Sequence, residues 1–136
     1  MSYWILKSEP TVYSFDNLVA DKKATWDGVR NPQALIHIRS MKKSDLAMIY
    51  HSNIGKCVVG IAEIVSAPYP DPKSKDAKLA VVNLIPKRKL VKEVTLAEIK
   101  ANPKLSELKL VRQSRLSVIP VPEVMWKELL RMAGEK

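Results

Sequence analysis

The chain has 136 residues, of which 46% are hydrophobic and 27% charged, and its formal net charge is +9. This length is typical of one domain, so we predict a single domain over residues 1–136, and the composition excludes a disordered chain, a collagen and a disulfide scaffold. The sequence has no apolar run long enough for a membrane span and no signal-peptide pattern. Its single cysteine, Cys57, fits a reducing compartment. We therefore expect a soluble, cytoplasmic protein.

Strands and short helices alternate along the chain. In chain order, the predicted elements are a strand over residues 3–7, a helix over 15–20, a strand over 24–27, a helix over 32–40, strands over 45–51 and 57–65, a long strand over 78–91, a helix over 95–102, a strand over 116–121 and a helix over 122–133. Three helix starts are indicated by side chains that cap backbone N–H groups, at Ser14, Asn31 and Thr95.

The strand pattern predicts the fold class. The strands over residues 45–51 and 57–65 are separated by a short turn and form a hairpin, and the long strand is expected to kink at Pro86. The last helix is expected to bury Met125, Leu129 and Met132. Because strands dominate, we predict an α+β fold in which a small, strongly curved or closed sheet is flanked by short helices.

The excess positive charge lies in one stretch of the chain. Residues 73–115 carry 12 basic and 4 acidic side chains. A basic face attracts polyanions because binding releases their counterions, which predicts nucleic acid as a partner; the alternative is a solvated surface that keeps the protein soluble. The basic residues expected to contact a nucleic-acid backbone are Lys87, Arg88, Lys89, Arg112 and Arg115.

Four polar or aromatic clusters lie at the ends of predicted elements, where binding residues are over-represented. They span residues 7–10, 26–34, 50–53 and 112–117. In the second cluster, Trp26 precedes a glycine turn, and the helix that begins after Asn31 presents free N–H groups beside Arg30. An aromatic plane next to an anion site can bind a nucleotide; the alternative is a core Trp26, with Arg30 paired to Asp27.

Signals for catalysis, metals and cofactors are weak. His51 and Ser52 are adjacent on a strand, so their side chains point to opposite faces and do not form a nucleophile and base pair. His37, His51 and Cys57 lack the spacing of metal ligands, and the sequence has no glycine-rich phosphate loop. We therefore predict no metal, no cofactor and no catalytic residue, with Cys57 as a small buried hydrophobic residue.

Several segments, in order along nearly the whole chain, resemble the EVE domain family. The matching segments are YWILKSEP from Tyr3, YS from Tyr13, WDGVRN from Trp26, QA from Gln33, YHS from Tyr50, VGIA from Val59, YPD from Tyr69 and RLSV from Arg115. The resemblance implies a PUA-like fold, a curved, barrel-like β-sheet flanked by short helices. It is similar to the YTH and SRA-type domains that bind modified bases.

The resemblance also implies a non-enzymatic module whose pocket accepts a modified base, either a 5-substituted cytosine in DNA or a modified base in RNA. The base would be flipped out of its helix, which exposes its faces and edge. The residues implied around the pocket are Lys7, Ser8, Glu9, Trp26, Arg30, Asn31, Tyr50, His51 and Ser52.

Each of these residue types suggests a role within the implied pocket. Trp26 would stack on the base, with Tyr50 as a second wall. Ser8, Asn31 and Ser52 would form hydrogen bonds with the base edge. The cations of Lys7 and Arg30 would bind phosphate, and the Glu9 carboxylate would accept a hydrogen bond from an exocyclic amine.

The chain departs from the family pattern at four positions. Pro32 replaces a tyrosine, Leu35 and Ile36 replace an arginine and an asparagine, and Ser44 replaces a glycine. One aromatic ring and two polar groups are therefore absent from the segment that follows Asn31.

Two alternatives to a base-binding module remain. One is a small hydrolase similar to ASCH domains, acting on a modified nucleoside or amide with Lys7, Ser8 or Ser52, and Glu9; for this chemistry, burial would have to lower the pKa of Lys7 towards neutrality. The other is an interaction domain whose pocket is vestigial.

Overall fold

The computed structural model describes residues 1–135, which form seven strands and five helices. The strands are β1 (Tyr3–Ser8), β2 (Ala24–Trp26), β3 (Leu46–His51), β4 (Cys57–Ile64), β5 (Tyr69–Pro70), β6 (Ala80–Thr95) and β7 (Val118–Val121). The helices are α1 (Phe15–Asp21), α2 (Pro32–Ser40), α3 (Leu96–Ala101), α4 (Lys109–Arg112) and α5 (Glu123–Met132), and a 3₁₀ turn (Pro103–Leu105) follows α3.

One mixed sheet connects these strands. Its order is β2-β6-β4-β3-β1-β7, and β5 pairs with β6 away from this path. β1 and β3 are parallel, whereas every other pairing is antiparallel, so the predicted hairpin of β3 and β4 is confirmed. The α+β class, with a curved sheet flanked by short helices, is also confirmed. No helix within residues 1–135 combines the length and apolar character that crossing a bilayer requires.

The long strand β6 is irregular at its proline. Ile61 of β4 pairs with Arg88, but the next residue, Ala62, pairs with Pro86, so Lys87 is an extra residue on the β6 side. Such a bulge bends a strand and increases its twist. The predicted kink at Pro86 is therefore confirmed, and it contributes to the curvature of the sheet.

The first helix packs closely on the sheet because β4 has a glycine beneath it. Phe15, the first residue of α1, is 1% exposed. A Cβ atom at Gly60 would lie 2.5 and 2.6 Å from Cε1 and Cε2 of the Phe15 ring, far inside van der Waals contact. The absent side chain thus allows α1 to approach the sheet.

The predicted helix starts are confirmed, but the buried face of α5 differs from the prediction. The side-chain oxygens of Ser14, Asn31 and Thr95 each accept the backbone N–H three residues further on, at 3.0–3.1 Å. On α5, Leu129 is buried as predicted, whereas Met125 and Met132 are only half-buried.

Trp126 takes the place that those two methionines were expected to fill. It is 3% exposed, and its ring stacks on Tyr3 of β1 with 4.7 Å between ring centroids. Because Trp126, Leu129 and Ala133 follow one another at helical spacing, they form the buried face of the C-terminal segment.

Candidate functional site

A cleft of about 590 Å³ opens beside the end of β1. It lies between the turn that precedes α1, the short strand β2 and the loop that follows β5. Its lining residues are Lys7, Ser8, Val12, Tyr13, Asp21, Lys23, Ala24, Thr25, Trp26, Asp27, Gly28, Val29, Lys73 and Ser117. The cleft therefore combines two aromatic rings, three lysines and two aspartates.

Two aromatic rings form a corner in this cleft. Trp26 is 8% exposed, and its ring meets that of Tyr13 at 75°, with 6.3 Å between centroids. The Tyr13 hydroxyl donates a hydrogen bond to Oδ2 of Asp21 at 2.8 Å. Burial and the neighbouring Asp21 carboxylate raise the pKa of Tyr13 to about 12, so the phenol stays a protonated donor and holds its ring in place.

The turn that carries Tyr13 is fixed at both ends. The carbonyl oxygen of Glu9 accepts the N–H groups of Val12 and Tyr13 at 2.9 and 2.8 Å. The Ser8 hydroxyl donates to the carbonyl oxygen of Tyr13 at 2.6 Å, and the Ser8 carbonyl accepts the N–H of Ser52 at 2.9 Å. These bonds tie the aromatic corner to the sheet.

Lys7 supplies a cation to the wall of the cleft. Its Nζ donates to the carbonyl oxygen of Ser114 at 2.8 Å and lies 5.8 Å from the centroid of the Tyr50 ring. Burial lowers the pKa of Lys7 from its ordinary value. The lysine is positioned there because β1 pairs in register with β3, which sets Lys7 beside Tyr50.

Three of the pocket residues predicted from the sequence meet in the cleft: Lys7, Ser8 and Trp26. Tyr50, expected as the second aromatic wall, is instead 3% exposed and lies next to Lys7. The ring beside Trp26 is that of Tyr13, because the turn before α1 folds over β2. The structure therefore places Tyr13, and not Tyr50, beside Trp26 in the cleft.

Three other predicted pocket residues, Glu9, His51 and Ser52, lie outside the lining of the cleft. Glu9 is exposed and supports the turn through its carbonyl oxygen. Nε2 of His51 accepts the backbone N–H of Phe15 at 3.0 Å, and burial lowers the pKa of His51. His51 therefore anchors the start of α1 as a neutral acceptor.

The last two predicted pocket residues, Arg30 and Asn31, also lie outside the cleft lining. Arg30 is exposed, and the alternative pairing of Arg30 with Asp27 is not formed, because Asp27 faces Lys73 at 3.8 Å. The Asn31 side chain caps α2 and lines a second groove of about 340 Å³, together with Gln33, Arg112, Gln113, Ser114, Arg115 and Leu116.

The residues that depart from the family pattern also lie outside the lining of the cleft. Pro32 occupies the first position of α2, Leu35 is 3% exposed in the core, and Ile36 is 57% exposed. None of the three lines the cleft. Ser44, which replaces a glycine, has a φ of 83°, a left-handed conformation that favours glycine.

Most of the basic residues predicted to contact a nucleic-acid backbone are engaged in ion pairs. The pairs are Lys87 with Glu63, Arg88 with Glu135, Lys89 with Asp16 and Arg112 with Glu107, at 2.8–3.2 Å. The Lys89 and Arg112 pairs are exposed on both sides, and such pairs are weak. The Glu135 side chain that holds Arg88, by contrast, is only 7% exposed. Within residues 1–135, Arg115 has no acidic partner.

The cleft holds some of the groups that a hydrolase would need. Of the groups that a hydrolase would need, Lys7 and Ser8 line the cleft, whereas Glu9 and Ser52 do not. Cys57 is buried, and burial together with Glu93 raises its pKa to about 11, so its thiol stays protonated. Among residues 1–135, no three histidine, cysteine or acidic side chains are grouped as metal ligands.

Sequence reasoning missed several residues of the cleft. Tyr13 belongs to a segment that matches the family, but nothing local indicates that it faces Trp26. Asp21 lies one residue beyond the predicted end of α1, and Lys73 comes from the loop that follows β5, so neither carried a pattern of its own. Their positions depend on how distant segments fold together.

Comparisons with known proteins identify the family and the fold. The sequence profile of the EVE domain matches residues 2–132. Thymocyte nuclear protein 1 of Mus musculus is 33% identical, over 90% of this chain and 69% of the mouse protein. The solved structure of Rpa0253 from Rhodopseudomonas palustris has a TM-score of 0.94 at 44% identity, covering 98% of this chain and 94% of that one.

One structural relative carries a ligand. The human THYN1 protein, solved in complex with DNA that contains 5-methylcytosine, has a TM-score of 0.91 at 28% identity and covers 100% of this chain and 99% of that one. The solved structure of ASCH from Zymomonas mobilis is similar in fold alone. Its TM-score is 0.60 at 10% identity, and the match covers 96% of this chain and 94% of that one. The expected PUA-like fold is confirmed.

Proposed function

Because the chain belongs to the EVE domain family, we propose that it is a non-enzymatic module that binds a modified base in nucleic acid, with 5-methylcytosine in DNA as the first candidate. The observation that carries the proposal is the corner of Trp26 and Tyr13 inside a cleft rimmed by lysines. The human relative in complex with 5-methylcytosine-containing DNA supports the same ligand class.

A flipped pyrimidine would use the corner as follows. It stacks on one ring and presents its edge to the other, which suits the 75° between Trp26 and Tyr13. Stacking on an aromatic side chain contributes about 1–3 kcal/mol. The carboxylates of Asp21 and Asp27 line the cleft and can accept a hydrogen bond from an exocyclic amino group, the role that the sequence suggested for Glu9.

The nucleic-acid backbone would follow the basic surface. The groove beside the cleft carries Arg112 and Arg115, and arginine binds phosphate through its planar fork of donors. Lys87 and Lys89 would exchange their carboxylate partners for phosphates. Arg88, whose Nε is held by the buried Glu135 side chain, would offer its remaining donors. This part of the binding energy falls as salt rises, whatever the base.

Equilibrium binding to matched oligonucleotides tests the proposal. The set pairs unmodified cytosine with 5-methylcytosine and 5-hydroxymethylcytosine, in single and double strands of DNA and RNA, at two salt concentrations. We expect preference for a modified strand, and a loss of roughly 5- to 150-fold in that affinity on Trp26→Ala, the equivalent of one stacked base.

A control uses Trp126, a buried tryptophan on α5. Trp126 stacks on Tyr3 and does not line the cleft, so Trp126→Phe should leave the preference for the modified strand unchanged. Equal affinity of the wild type for modified and unmodified strands would refute base recognition and leave only electrostatic binding. Circular dichroism on each variant shows that it remains folded.

A second candidate function, hydrolysis of a modified nucleoside or amide, is favoured by one observation. Burial lowers the pKa of Lys7, as a lysine nucleophile or base requires. Mass spectrometry of modified nucleosides incubated with the protein decides between the two functions. Release of a product that Lys7→Met abolishes would favour the hydrolase, whereas unaltered nucleosides that still bind would favour the binding module.

A further inference from the structure

An exposed apolar side chain stands at the mouth of the cleft. Val12 lines the cleft, yet 75% of its surface is exposed to solvent. The next residue, Tyr13, faces inward and meets Trp26. A single turn therefore presents one ring to the interior of the cleft and one aliphatic group to whatever covers its entrance.

Hydrogen bonds hold the turn that carries Val12 and Tyr13 in one conformation. Both N–H groups of Val12 and Tyr13 bond to the Glu9 carbonyl, the Tyr13 carbonyl accepts from Ser8, and the Tyr13 hydroxyl bonds to Asp21. A β-branched side chain such as valine has little rotamer freedom to lose. Burying it against a ligand thus costs little conformational entropy.

The surroundings of Val12 carry charges that suit a polyanion. Lys23 and Lys73 come from two different loops, and both line the cleft. Both are exposed, and the Lys73 side chain retains 83% of its accessible surface although its Nζ lies 3.8 Å from Asp27. A polyanionic ligand that enters the cleft therefore meets these lysines and Val12 on the same lining.

Resting on the proposed function, we infer that Val12 is a wedge that enters a DNA duplex at the place that the flipped base leaves. Flipping a base unstacks its neighbours and leaves a gap. Proteins that deform duplexes fill such openings with apolar side chains. Val12 contacts the two exposed base pairs beside the gap, and Lys23 and Lys73 bind phosphates on either side of the extruded nucleotide.

The test compares two exposed valines on three ligands. The ligands are a duplex with one 5-methylcytosine, the same methylated strand alone, and free 5-methyldeoxycytidine. Val12→Ser should weaken binding of the duplex by roughly 5- to 30-fold, the equivalent of losing one buried valine contact, and should leave the other two affinities unchanged. Val124→Ser, on α5 and 77% exposed, is the matched control and should change none of the three.

The outcomes separate the wedge from the proposed function. Unchanged duplex affinity in Val12→Ser, with a wild type that prefers methylated DNA, would overturn the wedge alone. An equal loss on all three ligands would also overturn it, because Val12 would then contact the base itself. A wild type that binds none of the methylated ligands would overturn the proposed function, and the wedge with it.

Discussion

Placing a methyl group at Gly60 should push α1 away from the sheet. A Cβ atom there would lie 2.5 and 2.6 Å from two carbons of the Phe15 ring, so the ring must shift by about 1 Å to restore ordinary contact. Phe15 is 1% exposed and begins α1, so the shift disturbs a packed interior. Overpacking lowers the free energy of unfolding by about 1–3 kcal/mol, whereas a tolerated Gly→Ala raises it by about 0.4–1 kcal/mol. The net effect of Gly60→Ala should therefore be a free energy of unfolding lower by about 1–2 kcal/mol.

Urea unfolding, followed by tryptophan fluorescence, measures this loss, and a double-mutant cycle identifies its cause. Phe15→Leu alone leaves a small cavity and costs about 1 kcal/mol. In the double variant the added methyl group occupies that space, so the two effects should fall short of additivity by about 1 kcal/mol or more. A stable Gly60→Ala protein, or strictly additive effects, would refute the close packing of Phe15 on β4.

Three further substitutions test other parts of the structure. Ser44→Gly relieves a φ of 83° and should raise the free energy of unfolding by roughly 0.5–1 kcal/mol in thermal melts; a loss would mean that this turn is not left-handed. Asp45 is 2% exposed, and its carboxylate accepts Trp4 Nε1–H at 3.0 Å and two backbone N–H groups, so Asp45→Asn should cost about 1.5–3 kcal/mol in urea unfolding. The Arg131 guanidinium lowers the pKa of Glu128 from 4.5 to about 2, so the stability that ionised Glu128 contributes is present above pH 4.5 and is lost as the pH falls towards 2. Glu128→Gln should therefore make the free energy of unfolding less dependent on pH over that range. The same pH dependence in the variant and the wild type would contradict the pairing.

The local features of the fold could be predicted from the sequence. Helix starts depend on a cap and its neighbours within one turn, and Ser14, Asn31 and Thr95 all act as predicted. The end of β6 could not be predicted, because the strand runs to Thr95, four residues past its expected end at position 91, where it pairs with Cys57 of β4. Strand length there is decided by a partner nearly 40 positions away in sequence.

The candidate site was only partly predictable for the same reason. Lys7, Ser8 and Trp26 come from two family segments, and the sheet brings both to the cleft. Which tyrosine faces Trp26 depends on the path of the turn before α1, and two tyrosines at strand or turn ends are equivalent in sequence. Lys73 reaches the cleft from a loop whose composition indicates only exposure.

The central claim, that the corner at Trp26 holds the modified base, is tested most directly by the indole N–H signals of the three tryptophans. Trp4 donates its indole N–H to buried Asp45, and Trp126 lies against Tyr3, so neither should respond to ligand. Titration with methylated DNA should shift the Trp26 signal alone, and the unmethylated strand should shift it much less. Tight binding of methylated DNA with an unmoved Trp26 signal would contradict the account.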